Sequence, residues 1–268
     1  MDENINLQTN EEQPEVQEEN ISQEKISLYK RLVKWSQRPH SRLILTACAV
    51  FGFIFTCFIF TFQIVLTPIE VVGSSMQPTI NVSAAGAKYD VNTDIVYYYP
   101  EDKYNYKDIV IVDGNYAHGV QKIIKRVIAT PGQTITFKVT GEKDETSYSS
   151  SVDKYLITEV YINGNKLNED YIKEVMQIKV YKLYTEDNYK SSYYKFYDQF
   201  VEDLLEDDKT AEYTLGSDEY FCMGDNRNNS ADSRYFGPVK KKDIQGKVVL
   251  HVKYGDSLFI VIWRKIFG

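Results

Sequence analysis

Cysteine is scarce in this 268-residue chain, which has three: Cys48, Cys57 and Cys222. Two fall inside a long apolar run, leaving Cys222 alone in everything that follows it. An internal disulfide is therefore excluded for residues 67–268, which must be held together by a core. Histidine is equally scarce, with His40, His118 and His251. None sits in a recognisable catalytic motif, and no spacing of His, Cys and carboxylates suggests a metal site. Only 7 Pro and 14 Gly are present, which excludes a collagenous or broadly disordered chain. A formal charge of −7 argues against nucleic acid as the main partner.

Residues 43–66, "LILTACAVFGFIFTCFIFTFQIVL", lack charge altogether. At about 1.5 Å per residue this run can cross a hydrocarbon core of about 30 Å. A core helix of a soluble protein would not be apolar on every face for so long. A cleaved secretory signal has a shorter apolar part of roughly 7–15 residues. The run reads as one permanent transmembrane helix.

Charge is unevenly divided before it. Residues 1–24 carry acids and no Lys or Arg, and read as a disordered, solvated leader. Residues 25–42 carry Lys25, Lys30, Arg31, Lys34, Arg38 and Arg42 and no acid, a basic juxtamembrane segment. By the positive-inside rule, residues 1–42 are a cytoplasmic tail and 67–268 an extracytoplasmic domain of a single-pass cell-membrane protein.

Aromatics are plentiful, with 22 Tyr and 13 Phe, which suits half-buried strands and a mainly β body. "TDIVYYYP" (93–100), "KDIVIVDG" (107–114) and 120–139 read as strands, the last broken by Pro131-Gly132. Asn163-Gly164 between apolar residues predicts a type I′ hairpin. Residues 141–151 read as a polar loop and 196–208 as a short amphipathic helix. The final run "LFIVIW" (258–263) reads as a core strand or a membrane-resting edge.

Three further stretches carry chemistry. "VVGSSMQPTI" (71–80) sets two serines beside the apolar run, and a serine needs an activating base. A Ser-His-Asp triad would need His118 or His251, since His40 is on the wrong side. Lysine is the other base known for serine. "IIKRVIATPG" puts Lys125 after Ile123 and Ile124. A strand lysine is normally solvated; burial would lower its pKa from about 10.4 towards 7–8. In "MGDNRNNSADSRYFG" (223–237), Ser230, Asp232 and Arg234 stand two apart and would line one side of an extended segment. Asp232 and Arg234 could then pair and brace the loop, while Ser230 orients an uncharged lysine.

These stretches, in this order behind an apolar anchor, resemble bacterial type I signal peptidase, the leader peptidases of peptidase family S26. The resemblance covers most of residues 43–255. It implies an all-β catalytic core with an inserted smaller β-rich lobe, here about 138–217. It implies Ser75, not Ser74, as nucleophile and Lys125 as general base, with Ser230 hydrogen-bonded to Lys125 and Asp232–Arg234 as a supporting ion pair. Asp225 and Arg227 belong to the same frame. Val71, Val72, Met76, Ile80, Ile123 and Ile124 would line pockets for small side chains. The partners implied are signal peptides of exported preproteins, membrane lipid and the secretion translocon; no metal or cofactor is needed.

This chain departs from the pattern in places. Gly73 stands where some members have an oxyanion-binding serine, although many members also carry Gly there. Gln133 and Asn228 stand where Asp is common. The base is Lys, not the His of the endoplasmic-reticulum relatives. Two rival readings are a soluble self-cleaving repressor-type peptidase, which the apolar run opposes, and a β-domain that binds a partner without catalysis, which the retained Ser75 and Lys125 oppose.

Overall fold

The computed structural model describes residues 14–81, 93–114, 122–147, 151–181 and 195–267. His118 and residues 182–194 lie outside the described residues. The chain divides into two units, one up to Ile64 and one from Val65 onward.

The first unit holds helices α1 (Pro14–Ser36) and α2 (Pro39–Val65). Helix α1 takes in the second part of the stretch read as a solvated leader, and residues 1–13 lie outside the described residues. Proline is pre-organised for the first helical position, and Glu15, Glu18 and Glu19 suit the positive end of a helix dipole. Helix α2 carries the expected apolar run. Its stretch Pro39–Phe60 has mean hydropathy 2.6 and is long and apolar enough to cross a membrane. Phe51 and Phe53 on it are exposed.

The second unit is mainly β. In chain order its strands are β1 (Thr67–Val71), β2 (Asp94–Tyr99), β3 (Ile109–Asp113), β4 (Lys122–Ala129), β5 (Thr134–Asp144) and β6 (Val152–Ile162). They continue with β7 (Asn165–Lys166), β8 (Gln177–Tyr181), β9 (Thr210–Thr214), β10 (Glu219–Met223), β11 (Val239–Lys240) and β12 (Ile244–Val252). Helix α3 (Lys195–Leu205) precedes β9, α4 (Ser233–Phe236) follows β10, and α5 (Leu258–Phe267) follows β12.

Two antiparallel sheets result. One has seven strands in the order β1-β2-β12-β3-β4-β10-β11. The other runs β7-β6-β5-β9, with β8 also on β6. All strands of the second sheet come from the chain between β4 and β10. It shares one core with them: Phe137 of β5, Leu156 of β6 and Phe200 of α3 cluster with Ile128 of β4 and Phe221 of β10.

Several local expectations hold. Asn163 and Gly164 have φ of 49° and 79°, both left-handed as a type I′ turn between β6 and β7 requires. The amphipathic helix forms as α3 and buries Tyr197, Phe200, Val201 and Leu204. Two expectations fail. The polar stretch 141–151 is partly strand, because β5 and β6 pair as far as Asp144 with Lys154. "LFIVIW" is no core strand but opens helix α5, leaving Phe259, Ile260 and Trp263 exposed. Short apolar runs do not distinguish strand from helix by periodicity. Here Phe259, Trp263 and Ile266 recur at helical spacing.

The central strand β12 contains a position only glycine can fill. A Cβ on Gly246 would lie 2.4 Å from the Tyr99 carbonyl oxygen on β2. Backbone must move to relieve that clash, so Gly246→Ala is expected to destabilise the protein by about 1–3 kcal/mol. Urea unfolding followed by circular dichroism checks it.

Candidate active site

Ser75 lies in a tight turn that leaves β1. Gly73 starts it with φ of 93°, a left-handed backbone that disfavours any side chain. The glycine at this departure from the family pattern is thus a requirement of the local path. Within the turn, Gln77 N donates to Ser74 O at 3.1 Å and Ile80 N to Met76 O at 2.9 Å. The loop after β10 grips it from the other side. Asn226 N donates to Ser75 O at 3.0 Å, and Asn226 Nδ2 to Ser74 O at 3.1 Å. Asn229 Nδ2 donates to Ser74 Oγ at 2.8 Å. The two serines are thereby distinguished: Ser74 is held by Asn229, while Ser75 Oγ is 3.0 Å from Lys125 Nζ.

Lys125 departs from the usual solvated strand lysine. Strand β4 lies between β3 and β10, and every residue after Lys122 is buried. Lys125 itself is 3% exposed. Its ammonium has two acceptors, Ser75 Oγ and the Ile124 carbonyl at 2.9 Å. Burial pushes its pKa from 10.5 down to about 8, against the pull of the Asp232 carboxylate.

Asp232 and Arg234 pair as expected, but not in an extended segment. Asp232 is the N-cap of the short helix α4 and accepts from the Arg234 backbone N–H. Its carboxylate also takes Arg234 Nε and Nη2, each at 2.8 Å, and Gly224 N at 3.0 Å. Burial alone would raise the Asp232 pKa, but the Arg234 guanidinium holds it below the ordinary carboxylate value. Tyr235 on α4 stacks on Tyr197 of α3 at 4.3 Å between ring centroids.

Ser230 differs from expectation. Its hydroxyl is buried and, among the described residues, makes no hydrogen bond to Lys125 or to any other group. It remains beside the nucleophile turn: a Cβ on Gly224 would meet Ser230 Oγ at 2.3 Å and the Ser75 carbonyl at 2.5 Å. Gly224 is what lets these segments approach.

Sequence reasoning missed other parts of the frame. Arg126, next to Lys125, grips Asp225 with Nε at 2.8 Å and Nη2 at 2.6 Å, and Thr79 of the nucleophile turn donates to the same carboxylate. Arg227 forks onto Glu169, which no motif had singled out. Ser233 Oγ accepts from Cys222 N at 3.0 Å. Burial pushes the Cys222 thiol above its ordinary pKa, which leaves it inert. Among the described residues, no group of His, Cys, Asp and Glu could hold a metal ion.

A cleft of about 550 Å³ opens at Ser75 and Lys125. Residues 68–72 wall it on one side, 122–125 on the other, and Ile111 also lines it. Of the six predicted pocket residues, Val71, Val72, Ile123 and Ile124 line it. Met76 and Ile80 do not: they are buried in a core cluster with Val96 and Tyr98. Among the described strands β1 is the outermost of its sheet, and β10 covers β4 only from Arg126 to Ala129.

The Lys125 shift has a consequence for stability. The unfolded lysine binds its proton up to about pH 10.5, the folded one only to about 8. The folding penalty is therefore complete below pH 8 and fades between 8 and 10.5 as pH rises. Lys125→Met is expected to be more stable than wild type at pH 7 by up to about 3 kcal/mol. The gap should narrow at pH 10 when both are unfolded chemically.

A family model described as signal peptidase, peptidase S26, matches residues 41–253. The chain is similar to signal peptidase I of Streptococcus pneumoniae serotype 4, at 30% identity over 67% of this chain and 78% of that protein. It is also similar to signal peptidase I S of Bacillus subtilis, at 27% identity over 84% of this chain and 91% of the relative. With signal peptidase I of Buchnera aphidicola it shares 26% identity over 81% and 77%. A signal peptidase I crystal structure from Enterococcus faecalis is matched at 26% identity with a TM-score of 0.30, covering 55% of this chain and 98% of that one. The family match alone takes in well over half of the chain, from the apolar helix to the end of the seven-stranded sheet, and the chain therefore belongs to the signal peptidase family, peptidase S26, and is a serine-type endopeptidase.

Proposed function

We propose that this chain removes N-terminal signal peptides from exported preproteins with a Ser75–Lys125 dyad, cutting after small-x-small sites at the outer face of the cytoplasmic membrane. The observation that carries the reading is the 3.0 Å contact of Ser75 Oγ with a lysine that is 3% exposed. Residues 43–66 anchor the enzyme, 1–42 stay in the cytoplasm, and 67–268 form the extracytoplasmic domain with its second sheet as an inserted lobe. Helix α5, with Phe259 and Trp263 exposed beside Arg264 and Lys265, suits a rest on lipid. Anchoring keeps enzyme and tethered substrate on one surface and raises their effective concentration; delivery by the translocon fits that placement.

The cleavage segment enters the cleft as an extended chain and pairs with the backbone of β1. Small side chains at alternate positions face Val71, Ile123 and Ile124. Neutral Lys125 takes the Ser75 proton while Ser75 Oγ attacks the scissile carbonyl carbon. The carbonyl oxygen takes the developing negative charge and is stabilised by the Ser75 backbone N–H. As the tetrahedral intermediate collapses, the C–N bond breaks and the leaving amine takes the proton from Lys125. Lys125 then deprotonates a water molecule, which attacks the acyl carbon; the C–O bond to Ser75 breaks, Lys125 returns the proton to Ser75 Oγ, and the carboxylic product leaves. Asp232 and Arg234 hold the loop that fixes Lys125 and the turn; Ser230 sits against both.

The test is cleavage of a preprotein with an Ala-x-Ala site in detergent or lipid. Wild type and Ser74→Ala should cut there, with Ser74→Ala within about tenfold, because Ser74 takes no part in the proton transfer. Ser75→Ala and Lys125→Ala should lose at least about 10³-fold. A folded wild type that fails on several such substrates would sink the reading. A second measurement is the pH profile. The base must be neutral, so kcat/KM should rise with pH through an apparent pKa of about 8.

A further inference from the structure

One buried polar group near the site has no part in the proton transfers just described. Asn81 ends the nucleophile turn, is 1% exposed, and holds a left-handed φ of 64° that asparagine tolerates. Its carboxamide sits between two strands. Oδ1 accepts from Asp94 N at 2.9 Å, while Nδ2 donates to the carbonyls of Val71 and, at 3.1 Å, Gly73. Val71 and Asp94 are register partners at the end of the β1–β2 ladder. The carboxamide thus acts as an extra peptide unit placed in the ladder, carrying the pairing of β1 past the point where β2 begins.

That insertion determines which backbone groups the cleft receives. Successive residues of a strand direct their N–H and C=O to opposite sides. The carbonyls of Val71 and Gly73 are both tied to Asn81, so the residue between them, Val72, is clamped from either side, and Val72 lines the cleft. It is also 61% exposed. Val72 stands three residues before Ser75, so whatever fixes it fixes the register of a paired chain against the nucleophile.

Asn81 is in turn held from behind. Its backbone N–H donates to Asp94 Oδ2 at 2.7 Å. His251 Nε2 lies 2.7 Å from the same oxygen, and Tyr254 N donates to Asp94 Oδ1 at 2.9 Å. A carboxylate only accepts, so His251 donates through Nε2. Asp94 is 2% exposed, and β12, which carries His251, pairs with β2 at this level. Each member leaves the next a single orientation, so the carboxamide cannot flip.

We propose that Asn81, oriented by Asp94 and His251, is a positioning residue of the peptidase that presents the Val72 edge to the substrate chain in fixed register with Ser75. The role rests on the signal-peptide reading above, since it needs an extended substrate paired along β1. It touches no reacting atom. Its loss should loosen the edge and leave the Ser75–Lys125 pair as it is.

The experiment compares wild type, Asn81→Ala, His251→Ala and His251→Gln on one Ala-x-Ala preprotein, with mass spectrometry of the new N-terminus. Asn81→Ala should lower kcat/KM by about 10–100-fold, mainly through KM, and yield products cut one or two residues away from the normal bond. Its pH midpoint should stay where wild type has it. His251→Ala should give a smaller loss of the same kind, and His251→Gln, which keeps a donor towards Asp94, should restore most of it. The role is overturned if Asn81→Ala cuts at one position with kcat/KM within twofold of wild type. It is also overturned if the losses follow a lowered unfolding midpoint and His251→Gln is no better than His251→Ala. A wild type that cuts nothing overturns the signal-peptide reading itself, and this role with it.

Discussion

Taking an ammonium group out of water costs several kcal/mol even after a protein relaxes around it, and the body of this enzyme is arranged around one such group. Lys125 is reached by burying both faces of β4, with β3 on one side and β10 on the other. The nearby carboxylate that could have stabilised its charge, Asp232, is instead forked by Arg234. Had Asp232 been left to pair with Lys125 alone, the attraction would have offset more of the burial effect, held the lysine's pKa higher and left less of the neutral base. The ion pair is thus useful as much for what it withholds from Lys125 as for the loop it braces.

The same loop is tied to the rest of the body by guanidinium–carboxylate pairs that point in different directions. Arg126 to Asp225 joins it to β4, and Arg227 to Glu169 joins it to the segment after β7. The ring of Tyr171 lies 4.2 Å from the Arg126 guanidinium carbon, filling the space beside both arginines. Breaking a buried pair of this kind leaves a bare charge and costs about 3–5 kcal/mol. The second sheet takes part through Glu169, and α3 through the Tyr197–Tyr235 stack. Elements far from Ser75 in sequence therefore set the rigidity of the turn that carries it.

Features legible in the sequence were those written in neighbouring residues. The uncharged run 43–66, the Asn163-Gly164 turn and the serine, lysine and Asp-Arg stretches each signal within a few positions. The burial of Lys125 was not legible, because alternation places a lysine on a face but does not say whether another strand covers it. Arg234 was assigned to an extended segment, since nothing local revealed that Asp232 would cap a helix. The family resemblance implies Met76 and Ile80 as pocket residues, yet the turn folds them inward. Glu169 and the Asn81–Asp94–His251 chain were invisible for a simpler reason. Their partners are far apart in sequence, and each residue alone reads as an ordinary polar side chain.

The place of β1 as the outermost of the described strands of its sheet has a further consequence. A strand edge able to take up a peptide backbone can equally take up the edge of another folded copy, and exposed edges of this sort nucleate aggregation. Here the edge is interrupted. Pro68 has no N–H to offer, and Glu70 is exposed and places a negative charge two residues further on. These two features shorten the stretch of this strand that could template a sheet between neighbouring copies.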